Sequence, residues 1–152
     1  MDKKIVVLVH PGMPYRKTIK YGCVRAREMG AKLTLLAIVS ELDGEDQIGM
    51  AVHEIAPYAT LSRTRENETV DFLERAVQYC LDSNVTVQSR VERGSLEEAI
   101  KRIAEEADIK LIVMPTPTRK EHHSSFLHTI SQFAHEMLDY DLKCPVVSVV
   151  AA

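Results

Sequence analysis

Histidine is the residue type here whose spacing most resembles a metal site. Four of the six histidines are His122, His123, His128 and His135. His128 and His135 are seven residues apart, so they share one face of a predicted helix that Asp139 extends. That face lies opposite the apolar stripe of the same helix, as an ordinary solvated face does. We therefore predict no metal site.

Basic side chains near two predicted loops could instead bind an anion. Arg16 and Lys17 open a predicted helix, and Arg119 and Lys120 follow a predicted strand. The partial positive charge of a helix N-terminus would add to their attraction. The loops supply few backbone amides, however, so we favour ordinary surface charge over an anion site.

Nucleophilic chemistry has little support in the sequence. Cys23, Cys80 and Cys144 are an odd number of cysteines without a CxxC motif, which indicates reduced thiols in a cytoplasmic protein. Cys23 and Cys80 lie on apolar helix stripes and are predicted to be core residues, while Cys144 has only Lys143 beside it to activate a thiolate. The sequence has no GxSxG, Walker or HExxH motif and no evident carboxylate pair, so we predict that the protein is not an enzyme.

Composition is that of one folded domain. The 152 residues are 45% hydrophobic and 27% charged, which suits a single domain over residues 1–152. A net charge of -3 argues against a nucleic-acid partner. No segment reaches the roughly 18 apolar residues of a membrane span, and the N-terminus leads directly into a predicted strand rather than a signal peptide. We expect a cytoplasmic protein that does not bind membranes.

Strand and helix patterns alternate along the chain. Apolar or alternating runs predict strands at 5–9, 33–39, 85–91, 111–114 and 145–150. Helices are predicted at about 15–29, ending at Gly30, at about 62–81, from Ser95, and from about 124. Residues 40–61 are hard to interpret, and a short helix there is expected to end before Pro57.

Helical spacing predicts which side of each helix is buried. Ser95 and Glu98 form a capping box at the start of the third long helix. The predicted buried positions are Ile19, Cys23, Ala26 and Met29, then Val70, Leu73, Val77, Cys80 and Leu81, then Leu96, Ile100, Ile103 and Ala107, and last Phe126, Leu127, Ile130, Phe133, Ala134, Met137 and Leu138.

Five strands separated by helices predict an α/β fold of the Rossmann-like kind, an open parallel sheet with helices on both faces. Right-handed crossovers favour the strand order 3-2-1-4-5, which has a switch point between the first and fourth strands. Ligands of such sheets bind outside the carboxyl ends of the strands at that point. The candidate crevice residues are His10, Gly12, Val39, Pro115, Thr118 and Arg119.

In this order of elements the sequence resembles the universal stress proteins over nearly its whole length. The resemblance rests on the opening strand 4–9, on Gly94 and Ser95 with the capped helix, and most specifically on residues 108–114 and 144–150. It implies a stress-response role, a homodimer and, in many members, ATP binding.

The resemblance also indicates that the ATP motif is lost. ATP-binding members carry Gly, two residues, Gly, nine residues, then Gly followed by Ser or Thr. The three glycines correspond to Pro115, Thr118 and His128, and only Thr129 matches, so the resemblance adds His128 and Thr129 to the candidate crevice residues. His10 stands where such members have Asp. A phosphate loop needs backbone N–H groups, which proline lacks. Members without this motif are generally regarded as not binding ATP, so we predict no cofactor.

The resemblance therefore implies a regulatory module that acts through an unknown protein partner. Its homodimer would form at the edge strand, through Val146, Val147, Val149 and Val150. Two alternatives stay open. One is a small-molecule or nucleotide sensor with a changed ligand, and the other is a nucleotidyl- or phosphoryl-transferring enzyme of the wider nucleotide-binding α/β group.

Overall fold

The structure is a computed structural model that describes residues 2–39, 55–116 and 144–150, with the backbone alone for 55–66. The elements in chain order are β1 (Lys4–Leu8), α1 (Arg16–Met29), β2 (Lys32–Val39), α2 (Ile55–Tyr79), a 3-10 turn (Leu81–Ser83), β3 (Val87–Arg93), α3 (Leu96–Ala104), β4 (Ile109–Thr116) and β5 (Val146–Val150).

All five strands pair in parallel, in the order β3-β2-β1-β4-β5, which confirms the predicted fold class and strand order. β1 lies at the centre, where Val6 pairs with Thr34 of β2 and Ile112 of β4. Ile5 to Leu8 are fully buried. A continuous apolar run is what a strand covered on both faces requires, since neither face can carry polar side chains.

The sheet separates two apolar layers, because successive side chains of a strand point to opposite faces. On one face Val6, Leu8 and Leu36 pack with Ile100 and Ile103 of α3. On the other face the residues come from β1, β2, α1 and α2, among them Ile5, Val7, Leu33, Ile19, Cys23, Leu73 and Cys80. Cys23 and Cys80 are therefore core residues, as predicted.

Two glycines fix α1. A Cβ on Gly22 would lie 2.5 Å from Val7 Cγ2 and 3.1 Å from Leu33 Cδ1, so the helix approaches the sheet more closely than any larger residue allows. Gly30 ends the helix with a left-handed φ of +64°, and Ala31 N–H donates to the Ala26 carbonyl at 2.8 Å. The prediction that α1 ends at Gly30 is confirmed.

The prediction for α2 is wrong in two respects. The helix begins at Ile55 and includes Pro57, because residues in the first helical turn need no N–H partner. Its buried face is also rotated: Phe72 and Ala76 are buried, whereas Val70 is 40% exposed. Leu81 is 64% exposed because the α-helix ends at Tyr79 and Leu81 belongs to the 3-10 turn.

Smaller corrections concern strand and helix ends. β3 spans Val87–Arg93, two residues later than predicted, and β4 begins earlier, at Ile109. α3 ends at Ala104, so Ala107 is exposed rather than buried. The last predicted helix, with Phe126 to Leu138, lies outside the described residues.

Candidate functional site

The predicted crevice lies at the carboxyl ends of the parallel strands, between β1 and β4. Of its candidate residues, His10 and Gly12 follow β1, Val39 ends β2, and Pro115 lies near the end of β4. The other candidates, Thr118, Arg119, His128 and Thr129, lie outside the described residues, as do Lys120, His122, His123, His135 and Asp139.

The loop after β1 folds back on His10. Gly12 N–H donates to His10 Nδ1 at 3.0 Å, and Met13 N–H donates to the His10 carbonyl at 3.0 Å. A Cβ on Gly12 would lie 3.1 Å from His10 Nδ1, so glycine permits this close approach. Met13 is buried in the core and anchors the loop. The loop therefore uses these two amides internally.

Pro115 is buried within β4, opposite Val149 of β5. Its ring nitrogen has no hydrogen to donate. At the position that corresponds to the first glycine of the ATP motif, the backbone thus offers a ligand no donor.

The end of β2 is joined to the turn between β3 and α3. Gly94 N–H donates to the Val39 carbonyl at 3.1 Å, and Gly94 has a φ of +115°, which side chains rarely tolerate. Ser95 Oγ then accepts from Glu98 N–H at 3.2 Å, which confirms this half of the predicted capping box. Glu97 and Glu98 lie in the first turn of α3, where their charge opposes binding of an anion.

The start of α1 carries the basic residues Arg16 and Lys17, both exposed. The Arg16 guanidinium lies 5.8 Å from the centroid of the Tyr79 ring, in a cation–π contact with α2. The Tyr15 ring meets the Phe72 and Tyr79 rings edge-on, at centroid distances of 5.4 and 6.0 Å. These contacts give Arg16 a structural partner and support the interpretation of surface charge.

One hydroxyl near the crevice is buried in the structure, although no sequence pattern predicts it. Thr18, in the first turn of α1, is buried, and its Oγ1 has no hydrogen-bond partner among the residues that the structure describes. Thr18 lies one helical turn before Gly22, on the face of α1 that contacts β1. It is therefore nearer than Gly22 to the carboxyl ends of the strands. A threonine on an apolar helix stripe gives no signal of this kind in a sequence.

The sequence matches the universal stress protein family over residues 1–137. This chain belongs to that family. The fold agrees with solved structures of similar proteins. The hypothetical protein MJ0577 is 16% identical with a TM-score of 0.72, and the match covers 100% of this chain and 98% of that one. Universal stress protein UspA from Lactobacillus plantarum is 18% identical with a TM-score of 0.70, and the match covers 97% of each chain.

A universal stress protein in complex with cAMP is 13% identical, with a TM-score of 0.59 and coverage of 99% of this chain and 98% of that one. At such identities the likeness establishes the fold alone. No curated protein is significantly similar in sequence. Within residues 2–39, 55–116 and 144–150, no helix is long and apolar enough to cross a membrane.

Proposed function

We propose that this universal stress protein is a cytoplasmic, homodimeric regulatory module that acts through a protein partner, binds no ATP and catalyses no reaction. Membership of the family supports a stress-response module. Three free cysteines support a reducing compartment. The proposal for the crevice depends on its backbone donors.

Among the described residues around the crevice, few backbone amides are free to bind a ligand, and this observation carries the proposal. Gly12 and Met13 donate to His10, Gly94 donates to Val39, and Pro115 has no N–H. A charge-assisted hydrogen bond to phosphate contributes about 1.5–3 kcal/mol, so loss of several such bonds weakens binding by orders of magnitude. The acidic first turn of α3 adds no compensating attraction.

Isothermal titration of ATP and Mg²⁺ into the purified protein tests the proposal. We expect no saturable heat at ATP concentrations up to the millimolar range. The matched variant restores the missing residues of the motif, with His10→Asp, Pro115→Gly, Thr118→Gly and His128→Gly, and we expect it to gain affinity. A dissociation constant in the low micromolar range for the natural sequence, or ATP retained through purification, would overturn the proposal.

The proposed dimer depends on β5. This strand is at one edge of the described sheet, and its four valines make it apolar. Val147 and Val149 pack partly against the core, while Val150 is 59% exposed. An apolar edge strand with free backbone groups favours pairing with a second chain. A two-fold axis beside β5 would pair the edge-strand backbone groups of both copies at once.

A small-molecule sensor remains a second candidate, because the buried Thr18 hydroxyl near the crevice has no partner within residues 2–39, 67–116 and 144–150. A buried hydroxyl without a partner carries a desolvation cost that a polar ligand could relieve. The relative solved with cAMP gives a precedent for a small ligand in this family. Native mass spectrometry of the purified protein separates the candidates. A bound small molecule favours a sensor, a bound nucleotide with turnover favours a transferase, and an empty protein favours the partner-binding module.

A further inference from the structure

Two cysteines that the proposed function does not use lie side by side between α1 and the end of α2. Cys23 lies on α1, and Cys80 immediately follows α2. Both belong to the same apolar cluster, and Cys23 is 5% exposed while Cys80 is 1% exposed. They are 57 residues apart in the sequence, so only the fold brings them together.

A second contact, one turn away, fixes this arrangement. Arg27 lies one turn after Cys23 on the same face of α1, and its Nη1 donates to the Ser83 carbonyl at 3.3 Å. Ser83 lies three residues after Cys80, and its hydroxyl donates to the Cys80 carbonyl at 2.5 Å. The pairs Arg27–Ser83 and Cys23–Cys80 thus join the same two segments at neighbouring levels.

The two thiols are chemically different. Cys80 Sγ donates to the Ala76 carbonyl at 3.4 Å. A hydrogen bond with Cys80, and secondly the nearby Ser83 hydroxyl and Arg27 charge, lower the pKa of Cys23 to about 6 despite its burial. The hydrogen bond to Cys23 and burial raise the pKa of Cys80.

We propose that Cys23 and Cys80 form a dithiol site that hydrogen peroxide oxidises to an intramolecular disulfide between α1 and the end of α2. The Cys23 thiolate attacks one peroxide oxygen, the O–O bond breaks, and hydroxide leaves and is protonated to water. This step gives a sulfenic acid on Cys23. The Cys80 sulfur then attacks the Cys23 sulfur, the S–O bond breaks, and a second water leaves with the Cys80 proton. Two thiols lose two electrons to the peroxide, and external thiols reverse the reaction.

Cys144 is an internal control. It is 6% exposed, close to the value for Cys23, but it belongs to the apolar layer on the other face of the sheet. Burial raises the pKa of its thiol. Cys23 and Cys144 are thus similarly exposed, but their pKa values are shifted in opposite directions. Selective oxidation of Cys23 would therefore reflect its pairing with Cys80 rather than its exposure.

Peroxide treatment followed by peptide mass spectrometry tests the proposal. The folded protein is exposed to hydrogen peroxide at pH 7, its free thiols are blocked with iodoacetamide, and it is digested with trypsin. Trypsin separates the cysteines into peptides 21–25, 76–90 and 144–152. We expect peptides 21–25 and 76–90 to be linked, with loss of two hydrogens, while Cys144 is alkylated. Dithiothreitol should release the link.

Matched variants define the two roles. Cys144→Ser should form the same link, whereas Cys80→Ser should leave a sulfenic acid on Cys23 that dimedone captures. Alkylation of Cys23 in the natural sequence should reach half its maximum rate near pH 6, and Arg27→Gln should move that midpoint upward. If Cys80→Ser fails to fold, the link and this pH profile are measured in the natural sequence and in Cys144→Ser.

Three outcomes would overturn the proposal. The first is that Cys23 and Cys80 both remain reduced at peroxide concentrations that oxidise Cys144. The second is oxidation of Cys23 to a sulfinic acid without a link to Cys80. The third is a disulfide between two copies of Cys23, because the proposed site is within one chain.

Discussion

Replacement of Gly22 by alanine tests the close contact that fixes α1 above β1. The added Cβ would lie 2.5 Å from Val7 Cγ2, whereas carbon atoms in contact are about 3.5–4.0 Å apart. Val7 is fully buried in the central strand, and a β-branched side chain rotates poorly about χ1. The helix or the strand must therefore shift by roughly 1 Å, the difference between these two separations.

The expected cost follows from two opposing effects. Overpacking of a core costs about 1–3 kcal/mol, and the severity of this contact favours the upper part of that range. Alanine in a helix interior is more favourable than glycine by about 0.8–1.0 kcal/mol. We expect Gly22→Ala to lower the free energy of unfolding by about 1–2 kcal/mol. Lys20→Ala, at an exposed position of the same helix, should change it by less than about 0.5 kcal/mol.

A double-mutant cycle with Val7→Ala isolates the contact. Val7→Ala alone removes buried methyl groups and destabilises the protein, but it also makes room for the alanine at position 22. The two changes together should therefore cost less than the sum of their separate effects, by about 1–2 kcal/mol. Urea denaturation followed by circular dichroism gives each free energy. Strict additivity, or a Gly22→Ala variant as stable as the natural protein, would refute the reasoning.

Two further predictions concern the helix cap and the dimer. Ser95→Ala removes the hydroxyl that accepts from Glu98 N–H and should lower the free energy of unfolding by about 1 kcal/mol. Ser95→Thr keeps a hydroxyl and should retain most of the stability of the natural protein. Equal stability of the natural protein and both variants in urea would contradict this prediction. The Pro145 carbonyl accepts from Ile112 N–H and so faces β4. Backbone groups of successive residues in a strand point to opposite sides, so the N–H of Ser148, three residues later, points away from β4 to the open edge. Ser148→Pro should therefore convert the proposed dimer to a monomer in sedimentation at micromolar concentration while Ser148→Ala does not, and a monomeric natural protein or an unaffected dimer would exclude pairing through β5.

The elements that sequence predicted best are those whose signals are local. Gly30 ends α1 because its left-handed backbone is a property of that residue, and Ser95 caps α3 through a neighbour three positions away. The apolar run of β1 likewise needs no knowledge of its partners to be recognised as a buried strand. Alternation of these elements was then sufficient for the strand order.

The buried face of α2 could not be chosen locally. Spacing from Val70 and spacing from Phe72 both give an apolar stripe, and the position of the helix on the sheet decides between them. The limits of β3 depend in the same way on its register with β2, where Val87 pairs with Leu33. At the crevice, the bond from Gly12 N–H to His10 Nδ1 depends on the shape of one loop, which residue types do not specify.

The two edges of the described sheet differ in a way that bears on the proposed assembly. At the β3 edge Arg90 pairs with Glu92 at 2.7 Å and with Glu106 at 2.9 Å, and Arg102 pairs with Glu92 at 3.1 Å. A second strand that added there would have to displace or desolvate this network, so the edge is protected against pairing.

The β5 edge has valines instead, and it is separated from the crevice by β4 alone. Val149 of β5 pairs directly with Pro115 of β4, one of the candidate crevice residues. A shift of β5 on dimer formation would therefore be passed to the crevice through a single pair of strands. In the proposed dimer, assembly would then be coupled to a ligand at the crevice. By thermodynamic linkage, a ligand that binds the dimer more tightly than the monomer would strengthen dimer formation by the same factor.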